Sequence, residues 1–189
     1  MKEIFKHNKF IIVLFVLITL SACGGDNVVP SSKPISAPSS APSSTPVSTP
    51  VSTTDVPKSK ETKLGLYYTS QQTNDLLSTE EEREKTLFLD VRTEDEYDEG
   101  TPTFVDDNVP MYNWDENKKY VSNPDFISDF EDYLEGKGLN KESRIILICR
   151  TGDRSSRAVN ALAKQGYKNV YSVIDGTDGW KSNNLPWLE

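Results

Sequence analysis

Arg144-Ile145-Ile146-Leu147-Ile148-Cys149-Arg150-Thr151-Gly152-Asp153-Arg154-Ser155, continued through Ser156 to Gly166, is the stretch whose reading decides the fold. Four branched apolar residues in a row, Ile145 to Ile148, lack the alternation of a half-exposed strand and describe a parallel strand covered on both faces. The segment from Ser155 to Gln165 has helical spacing and is closed by Gly166, a residue type that accepts the left-handed backbone at a helix end. Cys149 therefore stands where a buried strand passes into a helix. In open parallel sheets ligands gather at the carboxyl ends of strands, and the amides and dipole of a helix N-terminus favour an anion there. Such a place, with Arg150 and Arg154 beside it, promotes the thiolate form of a cysteine. A buried structural cysteine is the commoner fate of an isolated Cys. The polar, glycine-containing and basic residues that follow this one argue instead for chemistry.

The loop Cys149-Arg150-Thr151-Gly152-Asp153-Arg154-Ser155 resembles the Cys-x-x-Gly-x-Arg-Ser active-site loop of the rhodanese family of sulfurtransferases. Upstream, Leu87 to Tyr97 resembles the family's Asp-Val-Arg segment, and downstream Gly176 with Gly179-Trp180 resembles its closing Gly-x-x-Gly-Trp. The resemblance covers roughly Lys63 to Glu189. It implies an α/β, rhodanese-like three-layer domain with a central parallel sheet flanked by helices. It further implies a catalytic Cys149, a substrate-binding loop of Arg150, Thr151, Gly152, Asp153, Arg154 and Ser155, and a scaffold role for Asp90 and Arg92, with Arg92 pairing a carboxylate such as Glu96. Between Gly100 and Met111 the chain departs from the family. Thr101 stands where a Gly-His pair is usual, and Asp106-Asp107-Asn108 replaces the expected Gly-Ala. The third strand and its loop, which border the pocket in relatives, are left open by that departure.

The chain has 189 residues, 35% of them hydrophobic, which allows one ordinary domain with appendages. Lys2, Lys6 and Lys9 precede an apolar run from Phe10 to Ile18, too short to span a bilayer, so residues 1–22 read as a signal peptide. Leu20-Ser21-Ala22-Cys23 resembles a bacterial lipobox, in which the cysteine is diacylated and becomes the mature N-terminus. The expected protein is an exported lipoprotein held by Cys23 on the periplasmic face of the outer membrane or the outer face of the cell membrane. Residues 23–62 form the lipidated cysteine and a Ser/Thr/Pro-rich tether. Prolines at 30, 34, 38, 42, 46 and 50 repeat every four residues, a pattern with no apolar face and a bias to extended polyproline geometry. At about 3.1 Å per residue such a tether reaches roughly 100 Å.

The domain then occupies residues 63–189. Leu64 to Tyr68 reads as a short strand, Thr69 or Ser70 as the cap of a helix through Leu77, and Leu87 to Val91 as a second buried strand. Thr79 to Lys85 is acidic and reads as a solvated face or a turn of helix. Asn123 and Pro124 are expected to open a helix whose Phe126, Ile127, Phe130, Tyr133 and Leu134 face the core, ending at Gly136. Val170 to Ile174 reads as the last strand.

The formal charge is −8, and it becomes −10 once Lys2, Lys6, Lys9 and Glu3 leave with the signal peptide. Nucleic acid is thereby excluded as a partner. An anionic substrate has to be drawn in locally, by Arg150, Arg154 and the loop amides. The single histidine, His7, also leaves, which excludes Cys-His and Ser-His catalysis in the mature chain. What remains needs no proton shuttle, metal or organic cofactor. The resemblance implies a thiosulfate sulfurtransferase-like enzyme, in which Cys149 takes a sulfane sulfur from a small anionic donor and passes it, as a persulfide, to cyanide or a thiol. Two alternatives compete. One is a non-enzymatic rhodanese-like module that binds a partner or carries sulfur; the other is a Cys-dependent phosphatase of the same fold. The phosphatase loop is Cys-x5-Arg, whereas Cys149 to Arg154 is one residue shorter.

Overall fold

In the computed structural model, residues 56–189 are described. The signal segment, Cys23, His7 and the tether as far as Asp55 lie outside the described residues. The chain runs through β1 (Tyr67–Tyr68), α1 (Ser70–Leu77), α2 (Glu80–Glu84), β2 (Thr86–Asp90), α3 (Glu94–Asp98), β3 (Thr101–Pro102), β4 (Asp107–Asn108), β5 (Tyr112–Trp114), β6 (Tyr120–Ser122), α4 (Phe126–Gly136), β7 (Arg144–Ile148), α5 (Asp153–Lys164), β8 (Val170–Val173), α6 (Gly176–Ser182) and β9 (Trp187–Leu188).

The main sheet has the order β1-β8-β7-β2-β4, and all its pairings are parallel. Strand β7 lies in the middle, where covering on both faces is complete, and this is why Ile145 to Ile148 need no polar alternation. Odd and even residues go to opposite layers. Leu87, Leu89, Ile145 and Leu147 pack against Phe126, Phe130 and Leu134 of α4 and Ala158, Val159 and Leu162 of α5. Phe88, Ile146 and Ile148 pack against Leu76 and Leu77 of α1 and Trp180 of α6. Burying each such side chain contributes about 1.5–3 kcal/mol of transfer free energy. The result is a three-layer α/β domain with a central parallel sheet flanked by helices.

Several expected boundaries move, each for a local reason. Helix α5 begins at Asp153 rather than Ser155, because Gly152 takes the left-handed cap position at φ 98° and frees the next residue to enter the helix. Helix α4 begins at Phe126 rather than Pro124: the Asn123 side chain accepts the Asp125 amide at 3.0 Å, which builds a turn ahead of the helix instead of a cap on it. Tyr133 is 38% exposed and not core. Strand β1 is only two residues, since Gly65, at φ 63°, turns the chain after Leu64. Residues 57–62, read from the sequence as the end of the tether, pack on the domain. A 3-10 turn spans Lys58–Lys60, Lys60 Nζ donates to the Ile174 carbonyl at 3.0 Å, and the Lys63 amide donates to Asn160 at 2.7 Å.

The departure between Gly100 and Met111 forms β3 and the edge strand β4. Asp106 accepts the Phe88 amide at 2.8 Å and pairs with Lys137 at 2.6 Å, while Asn108 Nδ2 donates to the carbonyls of Asp90 and Arg92, each at 3.0 Å. These polar side chains tie the edge strand to β2. Among the described residues no helix is long and apolar enough to cross a membrane.

Candidate active site

Strand β7 delivers Cys149 to the carboxyl edge of the sheet, and α5 starts four residues later. The residue is 1% exposed, with Sγ at the centre of the loop. Two backbone amides point at the sulfur, from Gly152 at 3.2 Å and Ser155 at 3.4 Å. The thiol donates to Ser155 Oγ at 3.5 Å. That hydroxyl meets Ser172 Oγ at 2.8 Å and the Gly152 carbonyl at 3.1 Å, so a buried polar chain runs from the sulfur into the sheet. Convergent N–H groups around one atom form a site for negative charge and for sulfur carrying it.

The loop keeps this shape because α6 clamps it from behind. Thr177 N donates to the Cys149 carbonyl at 2.8 Å and Asp178 N to the Arg150 carbonyl at 3.0 Å. With those carbonyls turned toward α6, the loop's N–H groups are left to face the sulfur. Gly176 has to be glycine: its φ is 61°, and a Cβ there would lie 2.3 Å from the Cys149 oxygen and 2.4 Å from the Arg150 oxygen. Asp175, just before it, accepts the amide and hydroxyl of Ser70 at 2.7 and 2.8 Å and so fastens α6 to α1.

The two arginines expected to neutralise the site behave differently from that expectation. Arg154 is tied in a two-pronged pair to Glu96, with Nη2 to Oε1 at 2.7 Å. Burial pushes the Glu96 carboxyl up, but the bonds and charge of Arg154, with the amide and hydroxyl of Thr93, outweigh it and bring the group down to about 2. The charge of Arg154 is therefore largely balanced rather than offered to a substrate. Arg150 points outward, exposed, and its Nε lies 3.5 Å from Asp178. Thr151 donates to Asp153 at 2.8 Å, which lowers the Asp153 carboxyl.

Arg92 does not pair the carboxylate of Glu96. It grips Asp90, with Nε to Oδ2 at 2.8 Å, and donates to the backbone carbonyls of Glu96 and Gly100 at 2.8 and 2.6 Å. Burial pushes the Asp90 carboxyl up against the pull of Arg92. Thr101 Oγ1 completes this group with a 3.3 Å bond to Asp90. Neither Asp90 nor Arg92 reaches Cys149 by any of these bonds; they hold the end of β2 to α3.

A hairpin that the sequence analysis did not single out overhangs the loop. Strands β5 and β6 pair antiparallel, and the turn between them is held by Asp115, whose carboxylate accepts the amides of Asn117 and Lys119, each at 2.8 Å. Tyr120 stacks on Trp114 at 4.0 Å, and the Arg154 guanidinium sits 5.6 Å from the Tyr120 ring centre. With Tyr112 and Tyr120 on one side and Glu96, Arg150, Thr151, Asp153, Arg154 and Arg157 on the other, a cavity of about 300 Å³ forms over the loop. The alternation of Tyr112, Trp114, Tyr120 and Ser122 around a polar Asp-Glu-Asn turn was the available hairpin signal. Its position over the loop had none.

These features coincide with a known domain. The family described as "Rhodanese-like domain" matches residues 73–183, more than half of the chain. An uncharacterized protein of Rickettsia rickettsii is 35% identical over 109 residues, covering 53% of this chain and 81% of that protein. The protein named thiosulfate sulfurtransferase 16, chloroplastic, of Arabidopsis thaliana is 30% identical over 99 residues, covering 52% of this chain and 77% of that protein. Among solved structures, that of Rv0390 from M. tuberculosis is 24% identical, with a TM-score of 0.49 over 65% of this chain and 98% of that one. The match spans the strand before Cys149, the loop around it and the helix that clamps it, and the chain belongs to the rhodanese-like domain family.

Proposed function

We propose that the protein is a sulfurtransferase that moves a sulfane sulfur from a thiosulfate-like donor to a thiophilic acceptor through a persulfide on Cys149. The observation that carries this reading is the sulfur of Cys149 at the focus of the Gly152 and Ser155 amides, at 3.2 and 3.4 Å. In the first step the thiolate attacks the outer sulfur of the donor. The donor's S–S bond breaks, and sulfite leaves with the electron pair. In the second step a nucleophile such as cyanide or a thiolate attacks the outer sulfur of the persulfide, and Cys149 departs as a thiolate again. Neither step needs an added oxidant, reductant or proton carrier. Fixed N–H donors suit both, because negative charge gathers on sulfur within the loop in each and the donors need no reorganisation to meet it. Membership of a family with a relative named as a thiosulfate sulfurtransferase supports the assignment.

The sulfur-carrier reading shares the same persulfide and differs only in its acceptor. A phosphatase is disfavoured by the loop: it is one residue short for a phosphoryl group, and Arg154, the residue that would grip phosphoryl oxygens, is committed to Glu96. The test is the intact mass of the purified protein after incubation with thiosulfate. Gain of one sulfur atom, removed by cyanide and absent from Cys149→Ser, supports the assignment, and an unchanged mass overturns it.

We further infer that the domain works outside the cytoplasmic membrane, anchored by lipid on Cys23, on the strength of Leu20-Ser21-Ala22-Cys23 and the proline-rich segment after it. Cys23→Ser should abolish lipid labelling and release the protein from membranes. Unchanged membrane fractionation sinks the idea.

A further inference from the structure

We propose that Arg157, positioned by Tyr112, selects a carboxylate-bearing organic thiol as the sulfur acceptor, a proposal that rests on the sulfurtransferase reading and deepens it. The cavity over the loop, about 300 Å³, is the first reason. At about 30 Å³ per water it has the share of roughly ten waters, more than a five-heavy-atom thiosulfate fills, and it falls at the low end of volumes that hold organic ligands.

The second reason is which charge remains available. The fork of Arg154 is occupied by Glu96, the Asp153 carboxylate is engaged by Thr151, and Arg150 leans outward toward Asp178. Arg157 lines the same cavity with a neutral hydrogen-bond partner, donating from Nη1 to the Tyr112 hydroxyl at 3.1 Å. That bond uses one N–H of a guanidinium that carries five and sets the direction of the rest. The Tyr112 hydroxyl and, less strongly, Asp153 one helical turn earlier favour the charged form of Arg157.

The third reason is distance along the helix. Arg157 is on the second turn of α5, whereas the Ser155 amide that meets the Cys149 sulfur belongs to the first, so the guanidinium and the sulfur are held by different turns of the helix. An acceptor with a thiol at one end and a carboxylate at the other spans them. The outer sulfur of a persulfide stands about 2 Å beyond Sγ. The Tyr112 and Tyr120 rings, edge to face with centres 6.3 Å apart, wall the space between for the carbon body of the acceptor. The acceptor thiolate takes the outer sulfur and leaves as an organic persulfide, and Cys149 keeps the electron pair of the broken S–S bond.

The experiment loads the full chain with thiosulfate, removes the excess, and follows loss of the added sulfur by mass with mercaptopropionate or mercaptoethanol as acceptor. The quantity read is the ratio of the two discharge rates, compared between variants so that the intrinsic reactivities of the thiols cancel. The expected ratio in the wild type exceeds that of Arg157→Gln by about twofold to fivefold, the scale of one exposed charge pair. Arg157→Lys should retain part of the preference, Tyr112→Phe should lower it, and added salt should reduce the wild-type ratio toward that of Arg157→Gln. A merely structural Arg157 moves neither the ratio nor its salt dependence, and equal ratios in wild type and Arg157→Gln overturn this proposal alone. Failure to form any persulfide overturns the sulfurtransferase reading and this one with it.

Discussion

Glu96 holds Arg154 in a two-pronged ion pair across 58 residues of sequence, linking the first turn of α3 to the first turn of α5. Thr93 fixes the carboxylate in turn, through its amide at 3.2 Å and its hydroxyl at 3.0 Å. The pair is about four-fifths shielded from water, and its guanidinium carries the Tyr120 ring on its outer side. Arg154 is therefore a strut between the Cys149 loop, the capping box of α3 and the overhanging hairpin.

Removing that charge should cost stability in a pH-dependent way. The Glu96 carboxyl is lowered from its ordinary 4.5 to about 2, so its contribution is complete above pH about 4.5 and is lost as pH falls toward 2. Glu96→Gln should lower unfolding free energy by about 1–3 kcal/mol at neutral pH, with the gap from the wild type closing below pH about 4. Urea unfolding at a series of pH values measures it. A pH-independent gap would assign the loss to packing instead.

Gly176→Ala should disable the loop. The new methyl would meet the carbonyl oxygens of Cys149 and Arg150 at 2.3 and 2.4 Å, and the backbone would keep a left-handed conformation unfavourable to alanine. Strain of this kind costs about 1–3 kcal/mol before the clash is counted. We expect a lower Tm and loss of persulfide formation, whereas Gly136→Ala, where a Cβ meets nothing within 4 Å, should leave Tm level or slightly raised. Comparable melting of the two variants would refute the clamp.

The segment before Lys63 should contribute to the domain. Lys60 Nζ donates to the Ile174 carbonyl, the same carbonyl whose oxygen would lie 2.3 Å from a Cβ on Gly152. Lys60→Met leaves that oxygen without its charged donor and should cost about 1 kcal/mol in denaturant unfolding. A chain starting at Leu64 should lose at least as much relative to one starting at Val56. Identical midpoints for the two truncations would return residues 56–62 to the tether.

Much of the domain was legible in one dimension because it rests on local rules. The run Ile145 to Ile148 could satisfy its side chains only between two layers, Thr69 capped the start of α1, and Gly166 at φ 90° ended α5 where helical spacing stopped. The loop from Cys149 to Ser155 was readable for the same reason: strand, cysteine, glycine and helix follow one another along the chain.

Tertiary structure alone decided which charges the loop keeps. Glu96 appeared from sequence to be a partner for Arg92, which lies on the same segment, yet the backbone carbonyls of Glu96 and Gly100 take Arg92 while the carboxylate reaches Arg154. An ion pair depends on the relative placement of two helices, and that follows from how the sheet orders β2 beside β7, a long-range choice that no local pattern of apolar residues encodes. The same holds for Tyr112 and Tyr120. Their alternation marks a hairpin, but only the packing of that hairpin on Arg154 and Arg157 sets two aromatic rings over the loop that follows Cys149.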